Sequence, residues 1–84
     1  MNYKVQIAES AAKALAKVPK RDKEKIIEKI EYLGLDPRPN GYVKLQGSKT
    51  TLYRIRYGDY RIVYTVRDEV LLVLEVGNRK EIYR

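Results

Sequence analysis

The segment LYRIRYGDYRIVYTVRDEVLLVLEV, residues 52–76, leaves a folding chain few options. Its three β-favouring stretches are separated only by Gly58-Asp59 and Asp68-Glu69. Links this short, with this composition, close hairpins and force the three stretches to be antiparallel neighbours. The pattern predicts strands over about 51–57, 60–67 and 70–76.

If Gly58-Asp59 is the whole turn, the first hairpin has one register. Tyr57 then faces Tyr60, Arg56 faces Arg61, Ile55 faces Ile62, and Arg54 faces Val63. Strand alternation puts Arg54, Arg56 and Arg61 on one face and Ile55, Tyr57, Tyr60, Ile62 and Tyr64 on the other. A two-residue turn at Asp68-Glu69 would add Val70, Leu72, Leu74 and Val76 to the arginine face, and a longer one would invert that parity. Glu75 interrupts the apolar third strand and is expected to pair with a nearby arginine.

Upstream, NYKVQI alternates Tyr3, Val5 and Ile7 and reads as a half-buried strand over 2–7. A helix begins at Glu9 or Ser10, turns Ala8, Ala11, Ala12, Leu15 and Val18 to one side, and is stopped by Pro19. A second helix from Lys20 to about Gly34 directs Ile26, Ile27, Ile30 and Leu33 inward. The alanine-rich first helix permits close approach, so the two form a helical hairpin. A loop punctuated by Pro37, Pro39, Gly41 and Gly47 follows and carries Arg38, Lys44 and Lys49. The order is strand, helix, helix and a three-stranded antiparallel meander. It implies a single α+β domain over 1–84 with the helices on one sheet face.

Composition narrows the chemistry. The chain has no cysteine and no histidine, so disulfides, thiolate metal sites, imidazole catalysis and the usual zinc ligands are excluded. Neither a metal nor a cofactor is expected. No apolar run is long enough to span a bilayer, and MNYKVQIAES lacks the apolar stretch of a signal peptide; the expected compartment is the cytoplasm. Eighteen Lys and Arg against eleven Asp and Glu give a net charge of +7. Such an excess suits a polyanionic partner, nucleic acid above all, or simply keeps a small protein soluble.

The placement of the charge decides between these readings. Like charges directly opposite each other on a sheet cost on the order of a few tenths of a kcal/mol to one, unless an anion lies between them. Solvated surface arginines account for any one of the three; if the face instead works on phosphate, the loss of Arg61 should abolish that function at little cost in stability. Three on one face, with Lys44 and Lys49 before them and Arg79 after, favour a phosphate site. Tyr83, beside Arg84 in the basic tail, is either a terminal anchor or a reactive hydroxyl.

The blocks AAKALAKV, VKLQG, LYRIRYGDYRIVYTV and LLVLEVGNRKEIYR, in this order and spacing, resemble the RelE/ParE superfamily of bacterial and archaeal toxins along nearly the whole chain. The resemblance implies a compact α+β toxin that is a monomer alone. It also implies a cognate antitoxin, RelB-like or another small acidic protein, that wraps the toxin as a hetero-oligomer. RelE-like members cut mRNA in the ribosomal A site, whereas ParE-like members poison DNA gyrase. On the RelE-like reading, Arg54 and Arg56 match a pair of basic residues, and Arg61 and Arg79 match active-site basic residues. Tyr83 resembles a C-terminal tyrosine that activates the nucleophile, with Lys44, Lys49 and Arg84 contacting RNA. Many relatives carry histidine or lysine where this chain has Asn78, and a C-terminal helix of some members has no counterpart here. A relative that keeps the basic face but has lost turnover is a further alternative.

The implied cleavage uses the 2′-OH as nucleophile on the adjacent phosphate, leaving a 2′,3′-cyclic phosphate and a 5′-OH. Arginines stay protonated and stabilise the charge that builds on the nonbridging oxygens. Surrounding guanidinium groups favour the phenolate of Tyr83, whereas Arg79 is a poor acid and its role is electrostatic. With such weak acid-base groups, the site suits a substrate already distorted, as ribosome-held mRNA is.

Overall fold

The computed structural model describes residues 2–39, 41–45 and 51–78. Its elements are β1 (Lys4–Ile7), α1 (Glu9–Ala16), α2 (Lys20–Leu33), β2 (Val43–Leu45), β3 (Leu52–Tyr57), β4 (Tyr60–Arg67) and β5 (Val70–Asn78). One five-stranded sheet has the order β1-β5-β4-β3-β2. The meander β3-β4-β5 forms as the short turns require, with Gly58 at φ 56° and Asp68 at φ 55°. Glycine takes this left-handed conformation at no steric cost, and aspartate tolerates it better than most residues.

The sheet extends beyond the expected meander at both edges. Within the basic loop, Val43–Leu45 pairs antiparallel with β3 as a three-residue strand. At the other edge β1 lies parallel to β5, so the sheet is mixed. This edge is fastened at both ends of β1: Lys4 N–H donates to Glu69 O and Ala8 N–H to Val73 O, each at 2.8 Å.

The third strand departs from the expected parity. Tyr64 pairs with Val73 but Val63 pairs with Glu75, so Leu74 is an extra residue in β5, a bulge. The Asp68-Glu69 turn does have two residues, and Val70 and Leu72 lie on the arginine face. Past the bulge the parity inverts, and Val76, opposite Ile62, is buried on the helix side. Glu75 now shares a row with Val63 and Arg54 but makes no ion pair with an arginine among the described residues. Val63 stands between them, putting the two backbones about two strand spacings, ~10 Å, apart.

The core lies between the helices and one sheet face. Ala11 and Leu15 of α1 and Ile26, Ile30 and Leu33 of α2 meet Ile55, Ile62, Tyr64, Leu71, Val73 and Val76. Ile27, expected inward, is instead 37% exposed. The inward stripe of α2 is the i, i+4, i+7 set 26, 30 and 33, from which position 27 is rotated by about 100°. Ala12 is exposed as well. α1 ends at Ala16, ahead of Pro19, which serves as the N-cap of α2. Gly34 lets α2 end against β1: Tyr3 N–H donates to its carbonyl at 2.8 Å, and a Cβ there would meet Val5 Cγ2 at 3.0 Å.

Tyr64 ties the loop after α2 to the core. Its fully buried ring stacks on Tyr53 with centroids 5.6 Å apart, and its hydroxyl donates to Pro37 O at 2.5 Å. Burial, then the nearby Tyr53, pushes the Tyr64 phenol up to about 12. The native state therefore holds the proton more tightly than the unfolded chain, whose tyrosines titrate near ~10. This contribution to stability is constant below about pH 10 and is lost as pH rises toward 12. Tyr64→Phe should cost about 1 kcal/mol at neutral pH through the unmet Pro37 carbonyl. The stability gap between wild type and variant should shrink between pH 10 and 12, as measured by denaturant unfolding at each pH.

Candidate phosphate-binding face

The β3–β4 register is the one anticipated: Arg56 pairs with Arg61, Ile55 with Ile62, Arg54 with Val63 and Tyr57 with Tyr60. Across the sheet this gives two adjacent rows on the face away from the helices. One is Arg56, Arg61 and Gly77; the other is Val43, Arg54, Val63 and Glu75. Gly77 puts no side chain beside Arg61.

The three guanidinium groups differ in environment. Arg56 is exposed, Arg54 is half-buried, and Arg61 is only 5% exposed. Arg61 is thus no solvated surface residue, and its removal is not structurally cheap as expected from sequence. Stripping water from a charge costs several kcal/mol before partners repay it, so Arg61 is closely surrounded at an energetic cost. The Nε of Arg54 is shut off from solvent and meets no acceptor among the described residues. An orphaned donor costs about 1–3 kcal/mol in general, a second local expense on this face beside the Arg56–Arg61 repulsion.

Other candidates fall elsewhere. Lys44 pairs with Tyr53 and therefore shares the helix-side parity, while Val43 occupies the arginine side. The expected grouping of Lys44 with the arginines fails because a three-residue strand replaced a free loop, and strand alternation turned the lysine over. Asn78 pairs with Tyr60 and shares its parity, opposite to that of Arg61. Lys49, Arg79, Tyr83 and Arg84 lie outside the described residues. Among the described residues no group of three or more His, Cys, Asp and Glu side chains could hold a metal, and no helix is long and apolar enough to cross a membrane.

A groove of about 770 Å³ opens where β2 ends opposite Arg54 and leaves the rest of β3 uncovered. Lys25, Lys29, Tyr32, Arg38, Arg56 and Tyr57 are among the residues that line it. Lys29 Nζ lies 6.0 Å from the centre of the Tyr57 ring, and the Arg38 guanidinium 5.8 Å from that of Tyr53. Arg38 binds its proton more tightly than a free arginine, chiefly through its hydrogen bond with Tyr53. This aromatic and basic wall could have been found only by knowing that the loop folds back over β3.

The family model described as ParE toxin of type II toxin-antitoxin system, parDE, matches residues 5–83. The chain belongs to the RelE/ParE toxin superfamily. No curated protein sequence matches it. The archaeal RelE of the Pyrococcus horikoshii OT3 RelE-RelB complex is 35% identical and superposes with a TM-score of 0.82, over 94% of this chain and 97% of that one. The isolated Escherichia coli RelE toxin is 32% identical, with a TM-score of 0.77 over 96% and 90% of the two chains. YafQ from Escherichia coli, 17% identical with a TM-score of 0.73 over 98% and 99%, shares the fold. The protein is therefore a toxin of a toxin-antitoxin system.

The toxin's arginine face makes a direct prediction. Arg56→Ala should leave stability unchanged or raise it by a few tenths of a kcal/mol to about one in low salt, because it removes a like-charge pair from the ladder. Added phosphate should raise the Tm of wild type more than that of the variant. Arg61→Ala should be clearly the more destabilising of the two. Thermal unfolding with and without phosphate checks all three, and a large Tm loss for Arg56→Ala would rule out the repulsion.

Proposed function

We propose that this toxin is a ribosome-dependent mRNA endoribonuclease that cleaves in the A site by 2′-OH attack and so inhibits translation. One observation carries the reading: Arg56 and Arg61 are directly opposed in the ladder with Arg54 on the same face, a group of forked cations suited to a phosphate. The likeness to RelE toxins of Pyrococcus horikoshii and Escherichia coli supports it.

In this mechanism the arginines bind the scissile phosphate and stabilise its nonbridging oxygens as charge accumulates. Arg61, buried and fixed, is suited to orientation; Arg56, exposed, is suited to capturing the strand. Arg79 adds positive potential, Tyr83 as phenolate accepts the 2′-OH proton, and Lys49 and Arg84 hold flanking phosphates. Lys44, on the other side of the sheet, serves a different contact from these. The departing 5′-oxygen takes its proton from solvent water, since neither the Asn78 amide nor a guanidinium is an effective acid.

The partner on this reading is a small acidic antitoxin that covers the basic face; the RelE relatives of Pyrococcus horikoshii and Escherichia coli form complexes with RelB. A second reading, inhibition of DNA gyrase without catalysis, is favoured by the match to the ParE family model.

In vitro translation with mapping of mRNA ends separates the two. Cleavage within A-site codons by wild type should fall at least 100-fold in Arg54→Ala and in Tyr83→Phe, with Arg56→Ala less affected. Intact mRNA together with inhibited DNA supercoiling would instead establish the gyrase reading.

A further inference from the structure

The arginine face carries one acid. Among the described strand residues on that face Glu75 is the only carboxylate, and it is exposed and in no ion pair. A carboxylate repels the phosphate that the arginines attract, so it weakens the grip of this face unless it meets a hydrogen-bond donor on the same ligand.

Glu75 owes its position to the Leu74 bulge. Leu71 and Val73 are buried on the helix side, and unbroken alternation would carry residue 75 to that side too. The extra residue instead turns Glu75 out to the arginines and returns Val76 to the core. Bulges recur beside functional sites because they re-aim a side chain in this way. An apolar residue at 75 would let the strand run through without one, so protection of the core does not by itself account for the bulge.

Two residues on, Gly77 leaves the sheet bare beside Arg61. A glycine inside a strand marks a place where another molecule can approach the backbone closely. Glu75 and Gly77 are about 7 Å apart along the strand. Arg61 and Arg56 continue the Gly77 row across the sheet. A phosphate held by these arginines over the bare stretch therefore brings the base of its own nucleotide within reach of the Glu75 carboxylate.

The chemistry of a carboxylate selects the base. When ionised it accepts hydrogen bonds and donates none. Guanine alone presents two donors side by side, N1–H and N2–H, which the two carboxylate oxygens can meet together. Adenine and cytosine offer one amino group, and uracil one ring N–H. The bases of single-stranded RNA are open to reading on these edges. We propose that Glu75 determines base specificity by accepting the N1–H and N2–H of a guanine next to the phosphate on the arginine row. The proposal rests on the RNA-directed function above and names the base which that function selects.

The test uses ribosomes programmed with messages that differ only at the two nucleotides flanking the cleaved phosphate. Each is varied in turn through guanine, inosine, adenine, cytosine and uracil. With wild type, guanine at one of these positions should raise kcat/KM at least ~10-fold over the other natural bases, in line with one bidentate contact. Inosine, which lacks the N2 amino group, should lose most of that advantage. Glu75→Ala should cleave with no preference for guanine, and Glu75→Gln, which gains a donor, should bring adenine to within a few-fold of guanine. Both variants should keep the Tm of wild type to within a few degrees, because the side chain is exposed. A carboxylate acting only through its charge would change the rate on every message alike and leave the ratio between bases unmoved. Absence of a guanine preference in wild type, or the same preference in Glu75→Ala, overturns the proposal. Equilibrium binding to the same ribosomes, with the message made uncleavable by 2′-deoxy substitution at the attacking nucleotide, separates this from the nuclease reading. If wild type leaves messages intact yet binds guanine messages more tightly through Glu75, the nuclease reading fails and the base contact stands.

Discussion

The ladder between β3 and β4 fixes what the rest of the molecule can be. Its register sets Ile55 against Ile62 on one side and Arg56 against Arg61 on the other, so one set of backbone hydrogen bonds divides core from charged face. A slip of one residue would turn the arginines toward the helices and the isoleucines toward solvent. Each unpaired guanidinium would then cost several kcal/mol of desolvation, against a total stability that for a domain of this size is only about 5–15 kcal/mol. The tight turn at Gly58 removes that option locally, before any long-range contact forms. The helices, β5 and β1 then build on a surface whose two sides are already different in kind.

How much of this was legible in the sequence follows from which features are local. The β3–β4 register could be read because a two-residue turn leaves one way to pair, and the α2 stripe because Ile26, Ile30 and Leu33 recur at helical spacing. The Leu74 bulge could not be read, since Leu74 is apolar like the residues before it and the adjacent Glu75 reads as an interruption of the strand rather than as a change of register. Val43–Leu45 was too short to stand out within a loop rich in proline and glycine; its strand character comes from the free edge of β3, a partner supplied by the fold. The burial of Arg61 was hidden for a related reason: alternation tells which side a residue faces but not what else covers that side.

The two positive clusters obey one rule although they lie on different elements. Arg56 opposite Arg61, and Lys20, Arg21 and Lys23 on the first turn of α2, each put like charge or wrong-signed charge where elementary electrostatics disfavours it. Arg56, Lys20 and Arg21 are exposed and lie outside the Ile, Leu and Tyr core that holds the domain together, whereas Arg61 is only 5% exposed. A chain can carry such charges only where the core has stability to spare, and an anionic partner that binds the native state returns the lost stability through linkage. A bound toxin should therefore be more stable than a free one, whichever anion is bound.

The same separation limits what the arginine face can do chemically. Guanidinium groups stay protonated, so they stabilise charge on a phosphate but neither remove a proton from a 2′-OH nor readily give one to a 5′-oxygen. The chain has no histidine or cysteine to take over that work. Under the proposed reaction, Tyr83 takes the 2′-OH proton, and the rest of the acceleration must come from charge stabilisation and from alignment of the 2′-oxygen with the departing 5′-oxygen. A pleated sheet face can grip a phosphate, but pleating by itself does not bend the strand through that phosphate. On the proposed reading, the bend is then the ribosome's contribution.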